Sequence, residues 1–282
     1  MDGTLNETRY QDILDSSKAP VFAFIKASFK EDPRLLLPRI LVDTFSYGLS
    51  IPLVALLRDP LSRERFAFKV IKNWGRKIRR VSMTKLVLKG KELIDPAGTY
   101  LFVANHLSPF DIVALYSTLP VCAGTVANSA LHRIPVLSYW MRLSGAIFVE
   151  QGNKTAEFSA FKLMIKRLKS GRSLVLFPEG YINQGKDLVE FKRGGIHSAV
   201  LAHVPIVPVC LLGTDQVMRP GGLSVVPGKK VTIKFGEPIE TWKLDGGSKK
   251  NIDLVLREQL TALINGETRL QETRACAELV EK

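Results

Sequence analysis

Tyr100–Thr118 reads YLFVANHLSPFDIVALYST. A short apolar run, Tyr100–Ala104, gives way to a polar break, a proline at position 109 and a second apolar stretch that opens on Asp111. The first run has the length and composition of a strand; the second, Asp111–Thr118, has those of a helix. Pro109 permits a tight turn between them and disfavours helix at Ser108. Reading outward, the same alternation continues. Further strands are expected at Lys85–Leu88, Cys122–Ala127, Ala146–Val149, Ser173–Phe177, Ile206–Leu212 and Lys230–Phe235. Helices are expected at Pro135–Leu143, Lys154–Ser170, Gly195–His203 and Lys249–Ile264. This pattern predicts an α/β domain over residues 82–265, with a mostly parallel central sheet flanked by helices. Ligands of such sheets sit beyond the carboxyl ends of the strands. Asn105-His106 and Pro178-Glu179 both stand directly after expected strands.

Upstream, the chain divides into a polar leader, residues 1–30, and a helical region, residues 31–81, expected to associate with a membrane. The leader begins MDGTLNETRYQDILD and lacks the basic start and apolar core of a secretory signal. Leu35–Leu57 is apolar, but its longest uncharged run, Thr44–Leu57, has 14 residues, whereas a spanning helix needs roughly 20. It reads as a segment lying in or dipping into one leaflet, with a buried core helix as the alternative. Ser62–Arg80 carries eight Lys/Arg and one Glu. Val70, Ile71, Trp74, Ile78 and Val81 share a helical face there, flanked or opposed by Lys69, Lys72, Arg76, Lys77 and Arg80. A basic helix with Trp on its apolar face suits an anionic membrane interface. The same pattern also fits a surface helix that packs that face on the protein's own core. Residues 266–282 form a charged tail.

The formal net charge of +13 implies an anionic partner: a phospholipid surface, nucleic acid or an acidic carrier. Three cysteines, Cys122, Cys210 and Cys276, form no pair at metal or redox spacing. His132, His197 and His203 have no partners at metal spacing. There is no Walker loop, zinc signature or Gly-x-Ser-x-Gly elbow. Basic residues are not interleaved with aromatics on a recognisable nucleic-acid scaffold, so nucleic acid is not the expected partner.

The turn Asn105–Asp111 is short enough to fold Asp111 back on the His106 ring. A carboxylate bonded to one imidazole nitrogen fixes the tautomer and leaves the other nitrogen as a base. Taken alone, His-x4-Asp fits equally a strand-end histidine and a helix-capping aspartate that never meet. Further motifs follow in order: Gly145-Ala146-Ile147-Phe148-Val149, Phe177-Pro178-Glu179-Gly180, Phe191-Lys192-Arg193-Gly194-Gly195, Val204-Pro205-Ile206-Val207-Pro208-Val209 and Phe235-Gly236-Glu237-Pro238-Ile239.

With His-x4-Asp first, this ordered set resembles the glycerophospholipid acyltransferase family, of the lysophosphatidate acyltransferase type, over about Leu88–Ile239. The resemblance implies that His106 and Asp111 are catalytic and that Asn105, Phe148, Glu179, Gly180, Lys192, Arg193 and Gly194 bind substrate. It implies direct acyl transfer from acyl-CoA or acyl-carrier protein to a lysophospholipid hydroxyl, 1-acyl-sn-glycerol-3-phosphate being the default acceptor. No metal or bound cofactor is expected, because the thioester is already activated. Oxyanion donors are expected from backbone N–H groups near the start of the Asp111 helix or in the glycine-rich loop after Arg193. The expected setting is an anionic membrane surface on the cytoplasmic face of the cell membrane.

The chain departs from the family pattern at three usually cationic places. Gln151 stands where the second block usually ends in arginine, Ile182 where the third usually carries one, and Asn128-Ser129 where a basic residue usually precedes the second helix. Arginine is the natural fork for a phosphate. Lys154, Lys186, Lys192 and Arg193 are the candidate replacements, and Lys192 and Arg193 are expected to face the same cleft as His106. The departures also leave room for another acceptor, either a different lysophospholipid or an amino-acid lipid. A non-catalytic basic module that binds membrane or nucleic acid is the remaining alternative.

Overall fold

The computed structural model describes residues 59–183, 188–219 and 224–266, together with Ser46, Ile51, Val54 and Leu57. The leader, nearly all of Leu35–Leu57, Lys186, Cys276 and the tail beyond Gly266 lie outside the described residues.

The elements follow in chain order as α1 (Pro60–Val81), β1 (Lys85–Lys89), β2 (Leu101–Ala104), α2 (Phe110–Thr118), β3 (Ala123–Asn128), α3 (Pro135–Leu143), β4 (Ile147–Val149), α4 (Lys154–Lys169), β5 (Ser173–Leu176), α5 (Arg193–Ala202), β6 (Ile206–Leu212), the single turn α6 (Thr214–Val217), β7 (Lys230–Phe235), the short α7 (Gly246–Lys250) and α8 (Ile252–Asn265). The seven strands form one sheet in the order β1-β7-β6-β2-β5-β3-β4. Only the β6–β7 pairing is antiparallel; β1–β7, β2–β5, β2–β6, β3–β4 and β3–β5 are parallel.

Strand alternation sorts the core into two layers. Phe102, Ala104, Val175, Val207, Val209 and Leu211 turn to one face of the sheet, where they meet Phe68, Ile71 and Ile78 of α1, Val113 and Leu115 of α2 and Trp140 of α3. Leu101, Val103, Leu174, Leu176 and Ile206 turn to the other face and meet Met164 and Leu168 of α4, Ile196 and Ala199 of α5 and Leu256 and Leu260 of α8. Each fully buried side chain of this size contributes about 1.5–3 kcal/mol, so a one-residue slip of β2 would exchange its whole set between layers. Both faces are covered, which explains why β2 and β5 are buried at every position.

Residues 59–81 are the main correction to the sequence reading. Asp59 accepts from the Ser62 N–H at 2.7 Å and Pro60 stands in the first turn, a capped start. The apolar face then packs on α2 and α3. Ala67, Phe68, Ile71 and Ile78 are buried, and Val70, Trp74 and Val81 pack against the same core. Gly75 lies at the α1–α2 crossing, where a Cβ would stand 3.0 Å from the Val113 carbonyl oxygen. The residue with no side chain therefore lets two backbones approach. The face expected to meet lipid is thus packed on the protein's own core, and α1, placed outside the 82–265 domain by the sequence reading, shares that domain's core. Lys72 also turns inward: its Nζ donates to the Leu119 carbonyl at 2.6 Å and lies over the Phe68 ring. Burial lowers its pKa, with Arg76 and Lys91 adding to the effect. Arg65, Lys69, Arg76 and Arg80 remain exposed along the outer face.

The first turns of α1 are tied down by charge. Glu64 is 7% exposed and pairs with Arg167 of α4. Arg172 stands 3.6 Å from its other oxygen. The Arg167 guanidinium lies across Gly145, where any Cβ would overlap it, and reaches the Ser144 carbonyl at 3.3 Å. No described helix is long and apolar enough to cross a membrane.

Candidate active site

β2 and β5 are neighbours, so the loops leaving their carboxyl ends converge. His106 stands two residues after β2, and Glu179 three after β5. The turn Leu107–Pro109 brings Asp111, fully buried in the first turn of α2, back onto the imidazole. His106 Nδ1 and Asp111 Oδ2 are 2.7 Å apart. The same oxygen accepts from the backbone N–H groups of Leu107 at 2.7 Å and Ser108 at 2.9 Å. Ser108 Oγ accepts from the Phe110 N–H at 3.0 Å and donates to the Met218 carbonyl at 2.6 Å. The Asp111 N–H bonds the Ser108 carbonyl at 3.0 Å. Asp111 thus holds the loop as well as the ring. The amides at the start of α2, expected as oxyanion donors, are consumed by the turn itself.

His106 is held at every other handle. Its ring stacks on Phe177 with centroids 4.2 Å apart. Its backbone N–H donates to Glu179 Oε1 at 2.9 Å, and its carbonyl accepts from the Asn183 N–H at 2.7 Å. Among the described residues nothing pairs with Nε2, and the side chain retains 17% exposure. A carboxylate on Nδ1 sets the tautomer in which Nε2 carries the free lone pair.

Glu179 is 1% exposed. Burial pushes its carboxyl up from the ordinary range; the His106 N–H and the neighbouring Asn183 side chain act against that rise, while the Asp111 charge reinforces it. Gly180 follows with φ +78°, in the left-handed region that favours glycine. A Cβ there would stand 2.9 Å from Lys192 Nζ, so the bare glycine makes room for the lysine. The Lys192 N–H donates to the Pro178 carbonyl at 2.9 Å, fixing the lysine beside the Glu179 loop with its side chain exposed. Gln151 donates its amide to the Gly180 carbonyl at 2.5 Å.

Two expected substrate contacts lie elsewhere. Asn105 is buried, with its amide bonded to both backbone groups of Leu211, at 2.9 and 2.8 Å. It extends the β2–β6 pairing by one rung, because an Asn side chain offers the donor and acceptor of a peptide. Arg193 points away from the histidine to α7 and α8. Its Nε donates to Asp253 at 3.0 Å, and its Nη2 to the Lys250 carbonyl at 2.8 Å and to Asn251 Oδ1 at 3.2 Å. A guanidinium fork finds three acceptors there. Phe148, in the middle of β4, stacks on His132 with centroids 3.9 Å apart. Gly194 is exposed in the first turn of α5, a helix with no side-chain cap. Asn183 was not singled out from sequence; its only signal was a polar residue four positions after Glu179.

Residues 85–212 match a family model described as Acyltransferase. A 1-acyl-sn-glycerol-3-phosphate acyltransferase of Limnanthes douglasii is 28% identical over 234 residues, 82% of this chain and 81% of that protein. One from Borreliella burgdorferi is 28% identical over 176 residues, 62% of this chain and 70% of that protein. Among solved structures, the 1-acyl-sn-glycerophosphate (LPA) acyltransferase PlsC from Thermotoga maritima superposes with a TM-score of 0.68. It is 22% identical and is matched over 83% of this chain and 98% of its own. At that identity the likeness concerns the fold.

Proposed function

We propose that this chain moves a fatty acyl group from a thioester to the free hydroxyl of 1-acyl-sn-glycerol-3-phosphate, giving phosphatidate, a reading supported by the match of residues 85–212 to the Acyltransferase family model. The observation that carries this reading is the 2.7 Å contact of His106 Nδ1 with the buried Asp111, with no partner on Nε2 among the described residues at the carboxyl end of β2. His106 Nε2 removes the acceptor hydroxyl proton as the oxygen attacks the thioester carbonyl. The tetrahedral intermediate collapses with cleavage of the C–S bond. The departing sulfur takes the proton from the imidazolium, leaving an ester and a free thiol. Asp111 holds the ring and stabilises its transient positive charge. With the amides of α2 committed, the uncapped first turn of α5 is the source of oxyanion donors. The donor is acyl-CoA or acyl-carrier protein. The test is incubation of purified protein with labelled acyl-CoA or acyl-carrier protein and a panel of lysolipids. Phosphatidate formation supports the reading; an acylated uncharged lipid or amino-acid lipid as the sole product replaces the acceptor; no product with any pair leaves a non-catalytic basic module.

Lys192 reads the acceptor phosphate in this proposal, because Gln151 is bonded to Gly180, Ile182 is apolar and Arg193 is bound to Asp253. Lys192→Ala should lower kcat/KM for lysophosphatidate by about 1.5–3 kcal/mol of lost charge-assisted bonding, roughly 10- to 150-fold, with a much smaller loss for an uncharged lysolipid. Arg193→Ala should not discriminate between the two acceptors. Equal losses for both acceptors in Lys192→Ala would remove it as the phosphate reader.

The proposed setting is an anionic membrane surface on the cytoplasmic side. Its support in α1 is the exposed set Arg65, Lys69, Arg76 and Arg80. With the apolar face of α1 buried, that helix's share of binding is electrostatic, and exposed charges are screened beyond about 8 Å at physiological ionic strength. Lys69→Glu/Arg76→Glu should weaken binding to vesicles containing anionic phospholipid and steepen no dependence on zwitterionic ones. Unchanged binding to anionic vesicles would take α1 out of the interface.

A further inference from the structure

The outward face of α4 is used neither by the core nor by the candidate site. The helix starts on Asn153, whose Oδ1 accepts from the Ala156 N–H at 3.1 Å, and it buries Ala160, Met164 and Leu168. Its exposed positions include Lys154, Lys162, Lys166 and Lys169 and no acidic residue. Glu157, the one carboxylate of the helix, accepts from the Gly152 N–H at 3.1 Å. Phe158 and Leu163 stand on either side of Lys162 and Lys166. They are 56% and 53% exposed and belong to neither core layer. Lys162 Nζ lies 4.4 Å from the centroid of the Phe158 ring. Exposing a phenyl ring and an isobutyl group to water is unfavourable, and the packing of the domain gives no reason for them there.

We propose that this face of α4 docks on an anionic phospholipid surface, its lysines meeting lipid phosphates while Phe158 and Leu163 enter the interfacial layer beside them. The inference rests on the membrane setting proposed above and deepens it: the outer face of α1 offers charge, and α4 adds apolar anchors. Four exposed lysines without an acid make the face complementary to phosphate, and lysine stems can lie along apolar surface while their ammonium groups reach the headgroups. The position of the helix suits the reaction. Gln151, two residues before the Asn153 cap, donates to the Gly180 carbonyl at 2.5 Å. The start of α4 therefore shares a rim with the Glu179 loop that holds His106, and Tyr181, 44% exposed, stands on the same loop. At the other end of the helix, the Arg167–Glu64 pair brings up the first turns of α1 with the exposed Arg65.

The test is cosedimentation of the full chain with vesicles of phosphatidylcholine, alone or mixed with phosphatidylglycerol. It compares wild type, Lys162→Gln/Lys166→Gln and Phe158→Ser/Leu163→Ser, with the melting temperature as the fold control. Losing the two lysines should weaken binding to the mixed vesicles about 25-fold at low salt, and added salt should erase that difference. Losing the two apolar groups should weaken it about 10-fold at low and high salt alike. As a second readout, Phe158→Trp should gain emission that lipids brominated near the ester carbonyls quench beyond the wild-type background. Binding like wild type in both double variants, or no added quenching, overturns α4 as the docking face. Unchanged vesicle binding with slower transfer from acyl-carrier protein, but not from acyl-CoA, assigns the face to an acidic carrier and overturns the lipid reading. Failure of the wild type itself to bind the mixed vesicles defeats the membrane setting instead.

Discussion

His106→Ala is expected to lose about 10²–10⁴-fold in kcat/KM, the usual share of a positioned general base, while the fold survives. The structure separates these two effects. Among the described residues, the side chain of His106 makes one hydrogen bond, to Asp111, and one ring stack, on Phe177. The bonds that pin the loop are made by its backbone to Glu179 and Asn183, and alanine keeps those. Asp111 would retain two backbone donors, from Leu107 and Ser108, so no buried charge is left bare. Asp111→Ala is the poorer probe, since it would orphan those two N–H groups and loosen the turn as well as the ring. Labelled-acyl transfer on the two proteins, with circular dichroism as the fold control, is the measurement. Turnover of His106→Ala within a few-fold of the parent would end the mechanism.

Arg167→Leu is expected to be strongly destabilising although it lies away from the site. Glu64 and Arg167 have side-chain exposures of 9% and 12%, and removing one partner of a buried pair typically costs about 3–5 kcal/mol, because the remaining charge stays desolvated. Arg172, 3.6 Å from the second Glu64 oxygen, survives the substitution and places the expected loss near the lower end, about 3 kcal/mol. Glu64→Leu/Arg167→Leu should recover much of it, since two apolar groups of similar volume can replace a buried pair at little cost. Chemical denaturation of the single and double variants checks this. A single variant as stable as the parent would show that the pair does not tie α1 to the domain. The same packing means that deleting residues 1–80 strips Phe68, Ile71 and Ile78 from the core. Charge reversal on the outer face therefore tests membrane contact more cleanly than truncation does.

Short-range chemistry explains what was readable without coordinates. All seven strands were legible, within a residue or two at each end, because apolar runs with β-branched and aromatic residues signal strands locally. The Asp111-to-His106 return was legible because five residues and a proline span it. The mostly parallel sheet followed from the alternation of strands with helices.

By itself, then, the sequence determined the strand–turn–helix units, the α/β class, the presence of His106 and Asp111 on one turn, and a helix at Ser62–Arg80 with one apolar and one cationic face. Tertiary structure alone decided which surface that apolar face covers. A helical stripe facing lipid and one facing α2 have the same periodicity, and the distinction rests on the Gly75 crossing and on the Glu64–Arg167 pair across 103 residues. It also decided the fate of side chains whose partners are distant in the chain. Asn105 bonds Leu211 at a separation of 106 residues, Arg193 bonds Asp253 at 60, and Glu179 bonds His106 at 73. A polar side chain takes the acceptor or donor that the strand order brings to it. The order β6-β2-β5 is set by how two helical layers cover a shared sheet, a property of the assembled core that no local window of residues contains.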